Sequence, residues 1–521
     1  MNEDRKIPIV VGAVGHRDIT KEESERLRKE VRDYLCGIRR RYPHSPFILL
    51  TNLAEGADQI CAEAALEEGC QLTAVLPMEP DEYKKDFQGE ALERFQTLLS
   101  SASEVFTAPR TEPVSNGRDY LYRQAGIYVA DHSQILLAVW DGSPAKPGGC
   151  GTAEIVDLKI NGNLQDPFKD RLRPASGTVV QFPAMRASGS DTPETGSVVI
   201  HGEEVLCRKI LKQTDLFNQD VETEETFTDL PEEKEDPVME RIRKVYGAAD
   251  SISVRQAKKY KRILASISIA ATLLTIAFLL YDEMMLYWMI LLCGIMLLFL
   301  FLINSLSKKL QCHRKYLEYR VLAEGLRVQF YLRMAGCSAE VSDHVPFAFR
   351  TDLPWTVSAF SALTVGPEPS DPKDVKDAWI RAQRVYHEKA LELTRKKDKR
   401  NGRIVKCALI IAIIAYLAAV VFELFFGGII LRSALFSDQG LDLCRTILKI
   451  LVGALSGLTL FAANYYGKLS LDETIGDHER MILLFKLAEQ ENDLVLLARE
   501  ELAENGRWYA YQSMNKPEIS L

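Results

Sequence analysis

Two paired runs of apolar residues decide most of what this chain can become. Residues 263–281 contain no charged side chain, and residues 284–306 contain none either. Asp282 and Glu283 stand at the break between them, where a tight turn returns to water. A second pair, 407–426 and 447–466, repeats the arrangement with a longer, partly polar connection. At 1.5 Å rise per residue, about 20 residues cross a hydrocarbon layer of roughly 30 Å, so each run reads as one membrane span. The alternative is a pair of buried core hairpins in a large soluble protein. Four such segments exceed what a soluble core needs. The chain is expected to be a four-span membrane protein.

Composition limits the rest. The 521 residues leave room for two to four domains, and a mean hydropathy of −0.08 is too polar for a protein lying mostly in lipid. Most of the chain is therefore expected in water. A net charge of −8 argues against a nucleic acid polymer as partner. The N-terminal apolar run is short and strand-like, without a cleavable signal pattern. Ten cysteines are scattered with no CxxC and no metal-ligand spacing, so neither a metal nor a disulfide framework is expected. Lys and Arg crowd 258–262, 308–315 and 395–406, and an even number of spans puts all three stretches on one side. The positive-inside rule names that side the cytoplasm, together with both termini.

Residues 1–160 alternate strand-like and helix-like patterns. Apolar runs at 7–14, 47–51, 72–76, 105–108 and 135–140 are separated by amphipathic segments such as 21–41, 54–68 and 81–100. Such alternation implies an α/β domain with a parallel sheet covered on both faces by helices. Ligands of these sheets bind where the carboxyl ends of strands meet helix N-termini, so the residues after each run carry the interest.

After the first run come Gly12, Gly15, His16 and Arg17, where glycines permit close backbone approach and Arg17 suits a phosphate. After the second come Glu55, Gly56 and Asp58. Their carboxylates either complement a helix dipole or bond a ribose hydroxyl. The segment 76–80 reads as a simple turn. Tyr122 and Arg123, before the last strand, either stack on and pair with a ligand or snorkel at the surface. His132 reads as a satisfied structural histidine. After Trp140 a loop of clustered glycines, with Gly148, Gly149, Gly151 and Thr152, leads into a helix bearing Glu154. Free backbone N–H groups and a helix dipole then converge on one anion.

The run 147–154, PGGCGTAE, resembles the PGGxGTxxE signature of the Lonely Guy phosphoribohydrolases and the wider SLOG superfamily, and 12–18, 55–58 and 122–140 also look like SLOG segments. The resemblance spans roughly 1–160 and implies a Rossmann-like nucleotide-binding fold. The hydrolases carry two glutamates in this motif. Here Glu154 matches the first, but Ile155 stands where the second belongs, and an aliphatic side chain cannot act as acid or base. The resemblance therefore implies a domain that senses a nucleotide, with no enzyme activity and no cofactor.

Residues 161–204 are irregular, with strand-like pieces at 178–182 and 197–200 suited to an edge hairpin or a lid. The acidic stretch 222–237 is polar enough for a mobile linker. Beyond it a repeat is visible. Arg255 and Tyr260 precede the first hairpin as Arg381 and Tyr386 precede the second. His313 stands as far before Leu322-Ala323-Glu324 as His478 before Leu487-Ala488-Glu489. Glu423 and Lys449 are placed for an ion pair across the second hairpin, and Gly453 with Gly457 forms a GxxxG contact pair.

This helix–hairpin–helix organisation resembles the SLATT family of two-span membrane effectors. The expected division is 1–205, a linker at 206–240, SLATT-like units at 241–340 and 376–521, and a connector at 341–375. The resemblance implies a bacterial inner-membrane effector that senses a nucleotide second messenger, cyclic or derived from ADP-ribose. It further implies a homo-oligomer in the lipid bilayer that opens a pore in antiphage defence, and a separate enzyme that makes the signal. A membrane-anchored nucleotide hydrolase and a constitutive scaffold are the rival readings.

Overall fold

The computed structural model describes residues 2–111, 114–115, 117–144, 151–162, 177–187, 197–223, 225, 227–369, 372–426, 437–491 and 493–515. Its N-terminal part is a seven-stranded sheet of β1 (Ile9–Gly15), β2 (Phe47–Thr51), β3 (Gln71–Leu76), β4 (Glu104–Thr107), β5 (Ile135–Trp140), β6 (Thr178–Pro183) and β7 (Val199–Gly202). The strand order is β4-β3-β2-β1-β5-β6-β7. All neighbours are parallel except β6 and β7, which pair antiparallel at the edge, as a hairpin rather than a lid.

Strand alternation sorts the core into two layers. Ile9, Val11 and Ala13 face one side, where they meet Leu27, Val31 and Leu35 of the helix Lys21–Arg41 and Ile60 of the helix Ala57–Glu67. Val10 and Val14 face the other side with Val129 of the helix Arg118–His132 and Val156 of the helix Thr152–Asn161. Chain order reverses at β1, which has β2 on one side and β5 on the other. That reversal opens a crevice beyond the carboxyl ends of the strands.

The chain divides into two compact units: 1–252 with 320–375 and 494–506, and 253–319 with 376–493 and 507–521. This differs from the boundaries expected from the sequence, because the polar stretch after the sheet is anchored. The helix Glu204–Glu222 buries Phe217 and Val221. Its Asn218 side chain accepts from Ile7 N at 2.8 Å and donates to Ile7 O at 2.9 Å. Asp236, within the expected linker, is buried against Arg333 at 2.6 Å.

Four helices are long and apolar enough to cross a membrane: Pro237–Glu283, Met289–Met334, Lys376–Phe425 and Gln439–Ala488. Their apolar windows remain largely uncovered by protein, with Leu291 70% and Leu460 68% exposed. Apolar surface left bare on this scale needs lipid around it. The first helix runs through Asp282 and Glu283, so the break falls later than the sequence suggests. Met285, at φ 52°, turns the chain before the next helix starts at Met289.

Within the second unit, glycines mark one contact between spans. A Cβ on Gly453 would lie 2.8 Å from Leu279 Cδ1, and one on Gly457 would lie 3.3 Å from Thr275 Cγ2. Small residues let two helices approach where lipid supplies no hydrophobic drive. The expected Glu423–Lys449 pair does not form. Glu423 accepts from Arg445 at 2.8 and 3.0 Å, and Lys449 pairs with Glu283 at 3.2 Å. Arg445 sits one turn before Lys449, and its planar fork matches a carboxylate better than an ammonium does. The histidines of the repeat make comparable contacts. His313 packs 4.7 Å from the Tyr260 ring, and His478 packs 5.2 Å from His387, the neighbour of Tyr386.

Candidate functional site

The crevice is built from backbone contacts that only glycine allows. His16 N donates to Val139 O at 3.1 Å, and Ala57 N donates to His16 O at 3.0 Å. A Cβ on Gly15 would lie 2.3 Å from Ala57 Cβ. Gly56 has φ +84°, and a Cβ there would lie 2.5 Å from Arg17 O. The N-terminus of the Ala57–Glu67 helix is therefore pressed onto the turn that carries His16 and Arg17. Gly12 lies deeper, inside β1, where a Cβ would come within 2.9 Å of Leu136, Ser133 and Val129 side chains. Its small size admits a helix. The ligand contact expected of Gly12 is corrected to packing.

Around the turn, side chains from three strand ends converge. The Arg17 guanidinium lies 4.8 Å over the Tyr122 ring, a cation–π contact that holds the charge in place. Tyr122 in turn donates its hydroxyl proton to Asp86. Tyr83 is buried, with ring centroids 5.5 Å from Phe95 and 6.2 Å from Tyr122, and its hydroxyl has no hydrogen-bond partner among the described residues. Burial, and then the nearby Asp58, push that phenol well above its ordinary range. Asn52 Oδ1 is likewise buried without a partner.

Asp58 is 4% exposed, in the first turn of its helix, and accepts from Ala54 N at 3.3 Å. That bond holds a short loop in which Leu53 is forced to φ 55°. Burial raises the Asp58 carboxyl to about 7, against the opposing pull of its hydrogen bonds and of Arg17. Asp58 thus keeps its proton in the folded protein while an unfolded chain loses it near pH 4. Stability from this group is complete below about pH 4 and is lost as pH rises toward 7. The Asp58→Asn variant is therefore expected to melt higher than the parent at pH 8 and to match it at pH 4. Thermal unfolding across that range checks the sign. A parent that becomes more stable between pH 5 and 7 through this residue contradicts the assignment.

Other residues singled out in the sequence are placed differently. His16 Nε2 lies 3.2 Å from the Asp141 amide nitrogen and 3.1 Å from Asp141 Oδ1. Burial works against Asp141, but hydrogen bonds from Ser143 and His16 hold its carboxyl below the ordinary range. Arg123 does not join Tyr122. Successive helix positions point about 100° apart, and Arg123 pairs with Glu154 at 2.7 Å. The second Glu154 oxygen is buried without a partner among the described residues. Ile155 packs against Gly126, whose Cβ would lie 2.9 Å from Ile155 Cδ1, so its position belongs to the core.

Glu55 is exposed and makes no hydrogen bond or ion pair among the described residues. Gly151 caps the helix that begins at Thr152, with open space where a Cβ would stand. Gly148 and Gly149 lie outside the described residues. His132 is structural, with Nε2 2.9 Å from Glu340 and Nδ1 3.1 Å from Tyr128 O.

Tyr83, Asn52, Asp86 and Asp141 also line the crevice, and sequence reasoning gave them no role. The stretch after β3, read as a simple turn, continues into a short helix, Pro80–Tyr83, that delivers Tyr83. An aromatic just beyond a strand's carboxyl end was the available signal.

No family model matches the chain, and no curated protein matches it. Among solved structures, DNA processing protein A from Streptococcus pneumoniae is similar at 19% identity over 32% of this chain and 54% of that one, with a TM-score of 0.21. The likeness spans about half the length of that protein, and at this score it carries no argument about the chain.

Proposed function

We propose that this chain is a membrane effector gated by a nucleotide-derived signal, its N-terminal sheet being a sensor of the SLOG type. The observation that carries the reading is the convergence of Arg17, Asp58, Tyr83 and Tyr122 at the switch-point crevice of a chain with four membrane-length helices. Arg17 suits a phosphate, the Tyr122 ring a base, and Asp58 and Tyr83 the hydroxyls of a sugar. The phosphate would also reach the N-terminus of the helix that starts at Thr152. In this reading the protein resides in a bacterial inner membrane with cytoplasmic termini, acts as a homo-oligomer and answers an enzyme that makes the signal. Ligand binding opens a leak and halts growth during phage infection. Turning a 1:99 closed population into 99:1 open needs about 10⁴-fold tighter binding to the open form.

One observation favours the hydrolase alternative. A buried carboxyl near pH 7, as at Asp58, is poised for proton transfer at neutral pH. Against it, the position of the second motif glutamate is Ile155, packed in the core.

The test is dye release from vesicles holding the full chain, against cyclic di- and trinucleotides and ADP-ribose derivatives. One compound is expected to release dye and be recovered intact. The Arg17→Ala variant is expected to need about 10- to 100-fold more of it, the value of a charge-assisted bond to phosphate. Conversion of the compound to free base or a ring-opened product supports the hydrolase instead. Permeability that ignores every compound sinks the proposal.

A further inference from the structure

Several cations of the second unit have a carboxylate partner. Arg384 reaches Glu489 at 2.9 Å, Lys396 reaches Glu392 at 2.6 Å, and Arg445 reaches Glu423 at 2.8 Å. Two stretches beside the first and third spans are placed differently. At 258–262 and 397–406 every Lys and Arg is exposed, and among the described residues none forms an ion pair with a carboxylate. The two stretches contain a single acid, Asp398. Lys261 and Lys397, on different helices, come close enough to repel. Partial desolvation by the neighbouring helix surfaces first, and then the charge of Lys397, push the exposed Lys261 ammonium below its ordinary range. A fold that gathers like charges without a counter-ion is destabilised unless an anion joins them.

A second observation sets the depth of this collar. Tyr260, next to Lys261, packs with Tyr316 at 6.3 Å, and Tyr465 near the end of the fourth span packs on the cluster of Tyr260, Leu264 and Cys312. Tyrosine rings, apolar in body and polar at the tip, collect at the level of lipid headgroups. The collar therefore adjoins both an aromatic belt and apolar helix surface.

We propose that 258–262 and 397–406 bind the phosphates of anionic phospholipid headgroups, with Lys261 and Lys397 each contributing one of the cations. Lys258, Arg262, Arg400 and Lys406 extend the contact along the membrane surface, and the acyl chains lie against the bare apolar spans. Lipid is the occupant, because the site joins cations to apolar surface and a soluble anion uses only the first. The proposal is independent of the nucleotide reading and needs only the membrane spans.

The test reconstitutes the full chain in phosphatidylcholine vesicles with a minority of phosphatidylglycerol. Spin-labelled versions of each lipid report the fraction immobilised on the protein. Phosphatidylglycerol is expected to be enriched over phosphatidylcholine. The Lys261→Gln/Lys397→Gln variant, changed only at exposed positions, is expected to lower that enrichment by up to about 30-fold, roughly fivefold for each of the two cations at a charged surface. The Lys261→Arg/Lys397→Arg variant is expected to keep it. Equal immobilisation of both lipids by the parent overturns the proposal, as does unchanged enrichment in the Gln variant. Displacement by inorganic phosphate, but not by chloride of equal ionic strength, also overturns it, by identifying a soluble anion as the occupant.

Discussion

Replacing Gly56 with alanine is expected to unfold the N-terminal unit well before the parent, at a cost of about 3 kcal/mol or more. Two separate terms add up to that figure. The φ of +84° with ψ of −117° is a region that L side chains avoid, and holding one there costs about 1–3 kcal/mol. The new methyl also lands 2.5 Å from Arg17 O and 2.6 Å from His16 O, both backbone atoms that cannot rotate away. Forcing atoms into a filled space costs about 1–3 kcal/mol more. The Ala57–Glu67 helix must retreat from the β1 turn, carrying Asp58 away from Arg17. Stability and ligand affinity are therefore expected to fall together. Urea denaturation of the full chain, followed by Trp140 and Trp355 fluorescence, reads the first effect. An unchanged midpoint shows that the close approach at Gly56 does not exist.

That turn also shows where the sequence was legible. Five of the six parallel strands and the four spans were readable because burial writes them as uninterrupted apolar runs of two different lengths. The convergence of Arg17, Gly56, Asp58 and Tyr122 on one crevice was readable because strand ends and helix N-termini meet there in such sheets. What glycines do there was not. Gly12 and Gly56 look alike in the sequence, yet one admits a helix against β1 and the other supplies a backbone conformation. Tyr83 escaped because the prolines after β3 signal a turn, and that signal outweighed the aromatic that follows it. The ion pairs Arg123–Glu154 and Arg445–Glu423 depend on which way neighbouring side chains point, and spacing alone leaves several partners in reach.

The stretch 222–237 reads as a linker, but its Asp236 is buried and carries the strongest prediction drawn from it. Acidic composition argues for a solvated linker, but Asp236 is 5% exposed and its two oxygens do different work. Oδ1 accepts from Val238 N at 2.9 Å and Met239 N at 3.1 Å, capping the long helix that begins at Pro237. Oδ2 accepts from Arg333 Nε at 2.6 Å, while Arg333 also donates to Pro367 O at 2.9 Å. Removing the carboxylate leaves a buried guanidinium without its counter-charge, and breaking such a pair from one side costs about 3–5 kcal/mol. Asp236→Ala is expected to lose that amount. Asp236→Asn keeps an oxygen for the cap and is expected to lose about 1 kcal/mol less, the usual worth of an N-cap. Pairing Asp236→Asn with Arg333→Met removes the stranded charge and is expected to recover most of the loss, since an apolar replacement of a buried pair is often nearly neutral. The denaturation midpoints of the three variants decide the matter. If Asp236→Ala costs under about 1 kcal/mol, the group is solvated after all, and the stretch is the linker its composition suggests.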